Sequence, residues 1–188
     1  GDHGRIELQN TVISGNRADK SGGAIRLNRG STGIISNCTI TGNTAQTTGG
    51  AIYAIDDLAI HSCTITGNTA KENGAVFLDQ GEYDRHSYFV GVFKITGDTV
   101  IKDNLGTAPG LYISAHTCLA IPAPGLGQKA HMDVFLESGK LTDLVIGKYD
   151  YEGADGEYVI TYGDRSYRDP ETPPAAKQES PQTEPIPQ

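Results

Sequence analysis

The chain of 188 residues carries a formal net charge of −8 at pH 7, which argues against nucleic acid or an anionic membrane as a partner. Its 24 glycines, its lack of tryptophan and its hydrophobic content of 37 % indicate a turn-rich, elongated all-β protein with a thin core. No run of about 18 apolar residues is present, so we predict no membrane insertion.

Four copies of one sequence pattern follow one another from residue 10 onward. They read NTVISGNRADKSGGAI, NCTITGNTAQTTGGAI, SCTITGNTAKENGAV and DTVIKDNLGTAPGLYI, and begin at residues 10, 37, 62 and 98. Each copy has an asparagine at the same place, and successive asparagines are 27, 25 and 36 residues apart: Asn16, Asn43, Asn68 and Asn104. A sequence period of roughly 20 to 50 residues predicts a solenoid.

The local composition of the copies predicts which solenoid they build. A short β-branched segment, such as residues 38–40, ends at a Gly-Asn or Asp-Asn turn, and a second such segment, residues 51–54, follows a linker of small residues. A third strand before the first is marked in successive copies by Leu8, Ile35 and Ile60. Three strands per turn and no helix predict a right-handed parallel β-helix of about four rungs, where a rung is one complete turn of the helix.

Stacked rungs should place like residues in rows inside the helix. Cys38 and Cys63 occupy the same position in successive copies, so both should point inward. Thr11 and Thr99 hold this position in the outer copies. A spacing of about 4.8 Å between rungs would permit a disulfide between the two cysteines, but parallel side chains favour free, buried thiols.

The repeated asparagines should form a second row. Asn tolerates left-handed backbone at a turn, and its side-chain amide can bond to the amide of the next rung. Glycine pairs at 22–23 and 49–50 predict a tight corner before the second segment, where the third copy has Gly74 alone.

An outward row of side chains is the strongest candidate for a binding surface. If the second segment of each rung turns its aliphatic residues inward, the residues between them stack on the outside: Arg26, Tyr53, Phe77 and Tyr112. Such a row is either a surface for a sugar face or a partner protein, or a stack that only stabilises the sheet, and we favour the second interpretation. The insertion after Leu78 favours a break in the row between Phe77 and Tyr112.

The combination of Thr-Ile, Gly-Asn, Thr-Ala and Gly-Gly-Ala-Ile resembles the repeats of right-handed parallel β-helix proteins of bacterial surfaces, including the polymorphic outer-membrane-protein and autotransporter-like families. The resemblance covers about residues 5–114. It implies a long adhesive or spacer shaft that is secreted or at the cell surface, with glycans or host surface proteins as partners. The chain departs from the pattern at Gly74, at the insertion after Leu78 and before Leu111.

The insertion holds the densest group of ionisable residues in the chain: Asp79, Glu82, Asp84, Arg85 and His86. Many β-helices cleave acidic polysaccharides with paired carboxylates, and these residues are the candidates for such a site. None of them holds a repeat position, so we favour a solvated loop over a catalytic one. The chain has no recognisable metal, phosphate or nucleophile motif, and we predict no cofactor and no metal.

The sequence predicts three regions: β-helix repeats over residues 1–114, a C-terminal β capping region over 115–168 and a disordered Pro-rich linker over 169–188. The first rung would expose strand edges, so we expect further rungs before Gly1 in the parent protein. The predicted function is a non-enzymatic adhesin or structural shaft, and the alternative is a polysaccharide-processing β-helix. The sequence indicates no particular oligomeric state.

Overall fold

The computed structural model describes residues 4–79, 92–114, 117–122, 125–137, 144–151 and 154–161, and every regular element in these ranges is a β-strand. The first rung contains β1 (Arg5–Gln9), β2 (Val12–Ser14), β3 (Arg17–Ala18) and β4 (Ile25–Leu27). The second contains β5 (Thr32–Ser36), β6 (Thr39–Thr41), β7 (Thr44–Ala45) and β8 (Ile52–Ala54). The third contains β9 (Leu58–His61), β10 (Thr64–Thr66), β11 (Thr69–Ala70) and β12 (Val76–Leu78).

Two further groups of strands continue the stack. The fourth rung contains β13 (Val92–Thr96), β14 (Val100–Ile101) and β15 (Leu111–Ile113). A shorter fifth rung contains β16 (Cys118–Pro122), β17 (His131–Met132) and β18 (Val134–Leu136). The last two strands, β19 (Leu144–Tyr151) and β20 (Ala154–Thr161), form an antiparallel hairpin.

Each strand pairs in parallel with its counterpart one rung away, which confirms the predicted parallel β-helix. The four resulting sheets follow the strand orders β1-β5-β9-β13-β16, β2-β6-β10-β14-β17, β3-β7-β11 and β4-β8-β12-β15-β18. Equivalent residues of the repeats are paired partners, as Ile40 is with Ile13 and Ile65. The described part of the chain has no helix that is long and apolar enough to cross a membrane.

The prediction of three strands per rung was wrong for the first three rungs, which have four. The predicted linker after each Gly-Asn turn contains the two-residue strands β3, β7 and β11. They are held from rung to rung, because the Thr44 N–H bonds to the Asn16 carbonyl and the Thr69 N–H bonds to the Asn43 carbonyl, both at 2.8 Å. Two residues are too few to show the alternation by which a strand is recognised in a sequence.

Parallel stacking continues beyond residue 114, into the range predicted as a cap. β16, β17 and β18 each pair in parallel with the fourth rung, and only the hairpin runs antiparallel, with β20 along β16. The fifth rung lacks the sequence signal of the others because Asp133 alone separates β17 from β18, so there is no Gly-Asn corner. The predicted linker, residues 169–188, and most of the insertion, residues 80–91, lie outside the described residues.

The core is a set of inward rows. Ile40, Ile65 and Ile101 stack with no exposed surface, and Cys38 and Cys63 are buried as free thiols beside them. The Cys38 N–H donates to Cys63 Sγ at 3.4 Å, and burial raises the pKa of the Cys63 thiol to about 11. Thr99 is fully buried in the same row, whereas Thr11 is half-buried because the described chain has no rung beyond it.

Candidate functional site

The outward row comprises Arg26, Tyr53, Phe77 and Tyr112, which are the middle residues of β4, β8, β12 and β15. The residues on either side of each one are buried, so the short strand turns a single side chain outward. Arg26 is exposed and the three aromatic residues are half-buried. Strand pairing places the four residues in register, one per rung.

The side chains of the outward row are in contact along its whole length. The guanidinium carbon of Arg26 lies 5.3 Å from the Tyr53 ring centroid. The rings of Tyr53 and Phe77 are 5.6 Å apart at an interplanar angle of 12°, and those of Phe77 and Tyr112 are 4.9 Å apart at 8°. The break expected between Phe77 and Tyr112 was therefore wrong, because β12 and β15 pair in parallel with Phe77 directly beside Tyr112.

Phe135 extends the outward row and was missed from the sequence. It is the middle residue of β18 and pairs with Tyr112, which places it one rung further along. Its only signal in the sequence is the apolar triplet Val134-Phe135-Leu136, which has the same order of residue types as Val76-Phe77-Leu78.

Stacking determines what the outward row offers to a partner. Nearly parallel rings at these distances cover each other's faces, and Arg26 covers the free face of Tyr53. The exposed parts of the row are therefore ring edges and hydroxyl groups, not a flat ring face on which a sugar would lie. This geometry favours stabilisation of neighbouring rungs, with hydrogen bonding at the exposed edge as the chemistry left for a ligand.

Asp79 connects the outward row to the rungs on either side. Its Oδ2 accepts a hydrogen bond of 2.8 Å from the Tyr53 hydroxyl, and its Oδ1 accepts a longer one of 3.5 Å from Ser114 Oγ. Ser114 also contacts Thr117 Oγ1 at 2.9 Å. Of the predicted ionisable group in the insertion, Asp79 alone is described. It joins the second, third and fourth rungs, and both of its oxygens are occupied as acceptors.

The tyrosine hydroxyls of the outward row are held in the protonated form. Burial, followed by the hydrogen bond to Asp79 and its negative charge, raises the pKa of Tyr53 from 10.0 to about 12. Burial and then the charge of Glu137 also raise the pKa of Tyr112.

We expect the raised pKa of Tyr53 to make the fold less stable in alkali. The folded protein keeps the Tyr53 proton up to about pH 12, whereas the unfolded chain loses it near pH 10, so the native state binds more protons in between. The protonated Tyr53 hydroxyl therefore contributes fully to the free energy of unfolding below pH 10, and this contribution is lost as the pH rises to about 12. Urea unfolding from pH 9 to 12 should show a shallower fall in stability for Tyr53→Phe than for the wild type. Equal slopes in the two proteins would contradict the assignment, and Asp79→Asn should lower the pKa of Tyr53 in an absorbance titration.

The asparagine row comprises four residues that lie at the corners after β2, β6, β10 and β14: Asn16, Asn43, Asn68 and Asn104. Nδ2 of each of the first three donates to Oδ1 of the asparagine in the next rung, at 2.9, 3.0 and 3.1 Å along the row. The backbone N–H of each donor residue reaches the same oxygen at 2.9–3.0 Å. Asn43 and Asn68 are completely buried, Asn104 is nearly so and Asn16 is exposed at the first rung.

The row asparagines do not themselves take the left-handed backbone that was expected of them. The preceding residue does, with φ of 65° at Gly42, 66° at Gly67 and 54° at Asp103. The left-handed asparagines are Asn10 and Asn37, which stand at the other corner, before β2 and β6. The row positions instead use asparagine because its amide can donate and accept at once.

Comparison with known families agrees with this architecture. The sequence model of a family described as right handed beta helix region matches residues 2–116, more than half of the chain. Neither a curated protein nor a solved structure matches the chain. The matched range contains the first four rungs, the asparagine row and the outward row as far as Tyr112. The chain therefore belongs to the right-handed β-helix family.

Proposed function

We propose that this β-helix is a non-enzymatic adhesin or structural shaft that is secreted or at the cell surface. The observation that carries the proposal is the unbroken contact of the outward row over four rungs, from Arg26 to Tyr112. Contacts of this kind stiffen a stack of rungs and hold its surface side chains in fixed positions. A rigid surface of this sort suits the presentation of binding groups to a partner.

The partners that we propose are glycans or host surface proteins. The outward row offers them ring edges and hydroxyl groups, and the Tyr112 hydroxyl lies in the field of the Glu137 carboxylate. Ring edges carry partial positive charge and hydroxyls both donate and accept, so polar groups of a ligand can bond along the row. Resemblance to bacterial surface repeats supports the location and the bacterial origin that we propose.

The alternative is a polysaccharide-processing enzyme, since domains of this family occur in adhesins and in such enzymes. Asp79 is the one described residue of the carboxylate group that this alternative would use. Its two oxygens already accept bonds from Tyr53 and Ser114, which favours a structural role for it.

The proposal is tested by measuring whether the protein is retained on a panel of polysaccharides and host glycoproteins. The same samples are assayed for new reducing ends, which would show cleavage. For any ligand retained, we expect the triple variant Tyr53→Ser, Phe77→Ser, Tyr112→Ser to bind at least about 10-fold more weakly, the effect of losing roughly 1.4 kcal/mol. The matched control is Val12→Ser with Val100→Ser, two outward positions of the β2-β6-β10-β14 sheet. Far-UV circular dichroism must first show that both variants are folded.

The outcomes separate the candidate functions. Binding without cleavage that depends on the outward row supports an adhesin, and no binding and no cleavage support a plain shaft. New reducing ends from any polymer would overturn the non-enzymatic proposal. Binding that the triple variant retains would move the binding surface away from the outward row.

A further inference from the structure

Asn37 is an exposed residue at the corner of the second rung between β5 and β6. Its backbone is left-handed, with φ of 51°, and its N–H donates to the His61 carbonyl at 2.9 Å. Within the described residues the side-chain amide of Asn37 forms no hydrogen bond, whereas the amides of the asparagine row bond from rung to rung. A reactant from solvent can therefore reach the Asn37 amide without breaking a contact of the fold.

The residues that follow Asn37 make it an acceptor for a sugar. Asn37-Cys38-Thr39 has the order asparagine, any residue except proline, then serine or threonine, which is the acceptor sequence for N-linked glycans. Of the eight asparagines in the chain, Asn37 alone has a hydroxyl residue two places later. At the same corner, the first rung has Asn10 followed by Val12, and the third rung has Ser62 in place of asparagine.

The fold presents the two ends of this triplet on the surface. Cys38 is only 2 % exposed and points into the core, so Asn37 and Thr39 flank it on the outside. The Thr39 hydroxyl, like the Asn37 amide, forms no hydrogen bond within the described part of the chain. Along the corner, Asn37 lies between the exposed Asn10 and the small side chain of Ser62, which leaves space in solvent for a bulky substituent.

We propose that Asn37 carries an N-linked glycan. In the transfer step, Nδ2 of Asn37 attacks the anomeric carbon of a sugar donor whose leaving group is a phosphate, linked either to a lipid or to a nucleotide. The bond between the nitrogen and the anomeric carbon forms as the bond from that carbon to the phosphate oxygen breaks. The amide nitrogen loses one proton, and the phosphate leaves with the bonding electrons. This chain supplies the acceptor, and a glycosyltransferase that recognises the Thr39 hydroxyl supplies the catalysis.

The sugar must be transferred before the rung is complete. The Thr39 N–H donates to the Thr11 carbonyl at 2.9 Å, and Thr39 is paired with Val12 on one side and Thr64 on the other. A transferase cannot enclose a triplet that is held between two strands, so the unfolded chain is the substrate. In the folded protein the glycan extends from the corner before β6, whereas the outward row lies on the β4-β8-β12-β15 sheet and stays uncovered.

The test expresses the full chain in two hosts. One host transfers glycans from lipid-linked donors to secreted proteins, and the other has a cytoplasmic N-glycosyltransferase that uses nucleotide sugars. We expect the intact mass to show a single glycan per chain and peptide mapping to place it on Asn37. Thr39→Val keeps nearly the same volume but removes the hydroxyl, so this variant should lose the glycan completely. Thr64→Val, at the paired position of the third rung, is the matched control and should keep it.

Ser62→Asn tests the same chemistry by gain. Ser62 has a left-handed backbone with φ of 49°, which asparagine also tolerates, and Cys63 and Thr64 follow it. This variant should carry a second glycan. A glycoprotein of known occupancy, expressed in each host, must be modified. A wild type without a glycan in both hosts, or a glycan on Asn37 that survives Thr39→Val, would then overturn the proposal, whereas a glycan in one host identifies the class of donor.

Discussion

Replacing Asn68 with alanine is expected to lower the free energy of unfolding by about 3 kcal/mol, because several buried polar groups lose their partners together. Oδ1 of Asn68 accepts from the backbone and side-chain nitrogens of Asn43, both at 3.0 Å. Its Nδ2 donates to the carbonyls of Ile40 and Thr66 at 2.8 and 3.1 Å, and to the asparagine of the next rung. The side chain is completely buried, so water cannot replace these bonds without opening the corner.

Asn16→Ala is the matched control, since it removes the same residue type from the same row at an exposed position. We expect a loss of no more than about 1 kcal/mol, because water can bond to the groups that it leaves. The chain has no tryptophan, so urea unfolding would be followed by far-UV circular dichroism. Equal losses for the two variants would contradict a stabilising role for burial of the row.

Asn68→Asp separates hydrogen bonding from packing. The substitution keeps nearly the same volume and an acceptor for Asn43, but it sets a carboxylate against the Ile40 and Thr66 carbonyls, where the amide nitrogen had donated. We expect it to destabilise the fold at least as much as alanine does. Near-native stability of the aspartate variant would show that donation by Nδ2 is dispensable.

Gly50→Ala is expected to cost about 3 kcal/mol for a different reason, which is overpacking of the backbone. A β-carbon at Gly50 would lie 2.6 Å from the Thr69 carbonyl carbon and 2.9 Å from its nitrogen. These atoms belong to β11, which is held in the neighbouring rung and cannot rotate away as a side chain could. Relief of the clash therefore requires the two rungs to separate at this corner.

Gly42→Ala distinguishes crowding from backbone conformation. Gly42 has a left-handed φ of 65°, but the nearest atom to an added β-carbon lies 3.9 Å away. Only conformational strain is introduced there, so we expect a loss of about 1 kcal/mol. Urea unfolding of both variants gives the comparison, and a larger loss for Gly42→Ala than for Gly50→Ala would refute the crowding at the Gly50 corner.

The parts of the fold that repeat in the sequence were predictable from it. The spacing of Asn16, Asn43 and Asn68 sets the length of a rung, and parallel stacking then places equivalent residues together. The outward row followed from the same reasoning, because each three-residue strand between two buried neighbours turns one residue outward. The sequence did not show that stacked rings cover one another, since this depends on ring angles.

Features without a repeat signal were missed. The fifth rung, with Phe135, is formed by backbone pairing of its strands to those of the fourth rung. Backbone pairing of this kind does not require the repeated residues by which the other rungs are recognised in the sequence. The short strands β3, β7 and β11 are formed by hydrogen bonds between rungs and not by the preference of Thr-Ala for a strand. Asp79 was correctly singled out as part of an ionisable group, but its contact with Tyr53 joins residues 26 positions apart across two rungs.

The side-chain amides of the asparagine row give the β-helix a dipole along its axis. In every link the amide nitrogen points to the later rung and the oxygen to the earlier one, so the side-chain dipoles add head to tail along the axis. Within the described residues the negative end of the row is the Asn16 oxygen, in the first rung with its connection, residues 4–31, which hold five cationic side chains and two carboxylates. The negative end of the dipole stabilises these cations, as the carboxyl end of an α-helix stabilises lysine and arginine. Reversing the charges of the first rung should therefore weaken the asparagine row even at corners that the substituted residues do not touch.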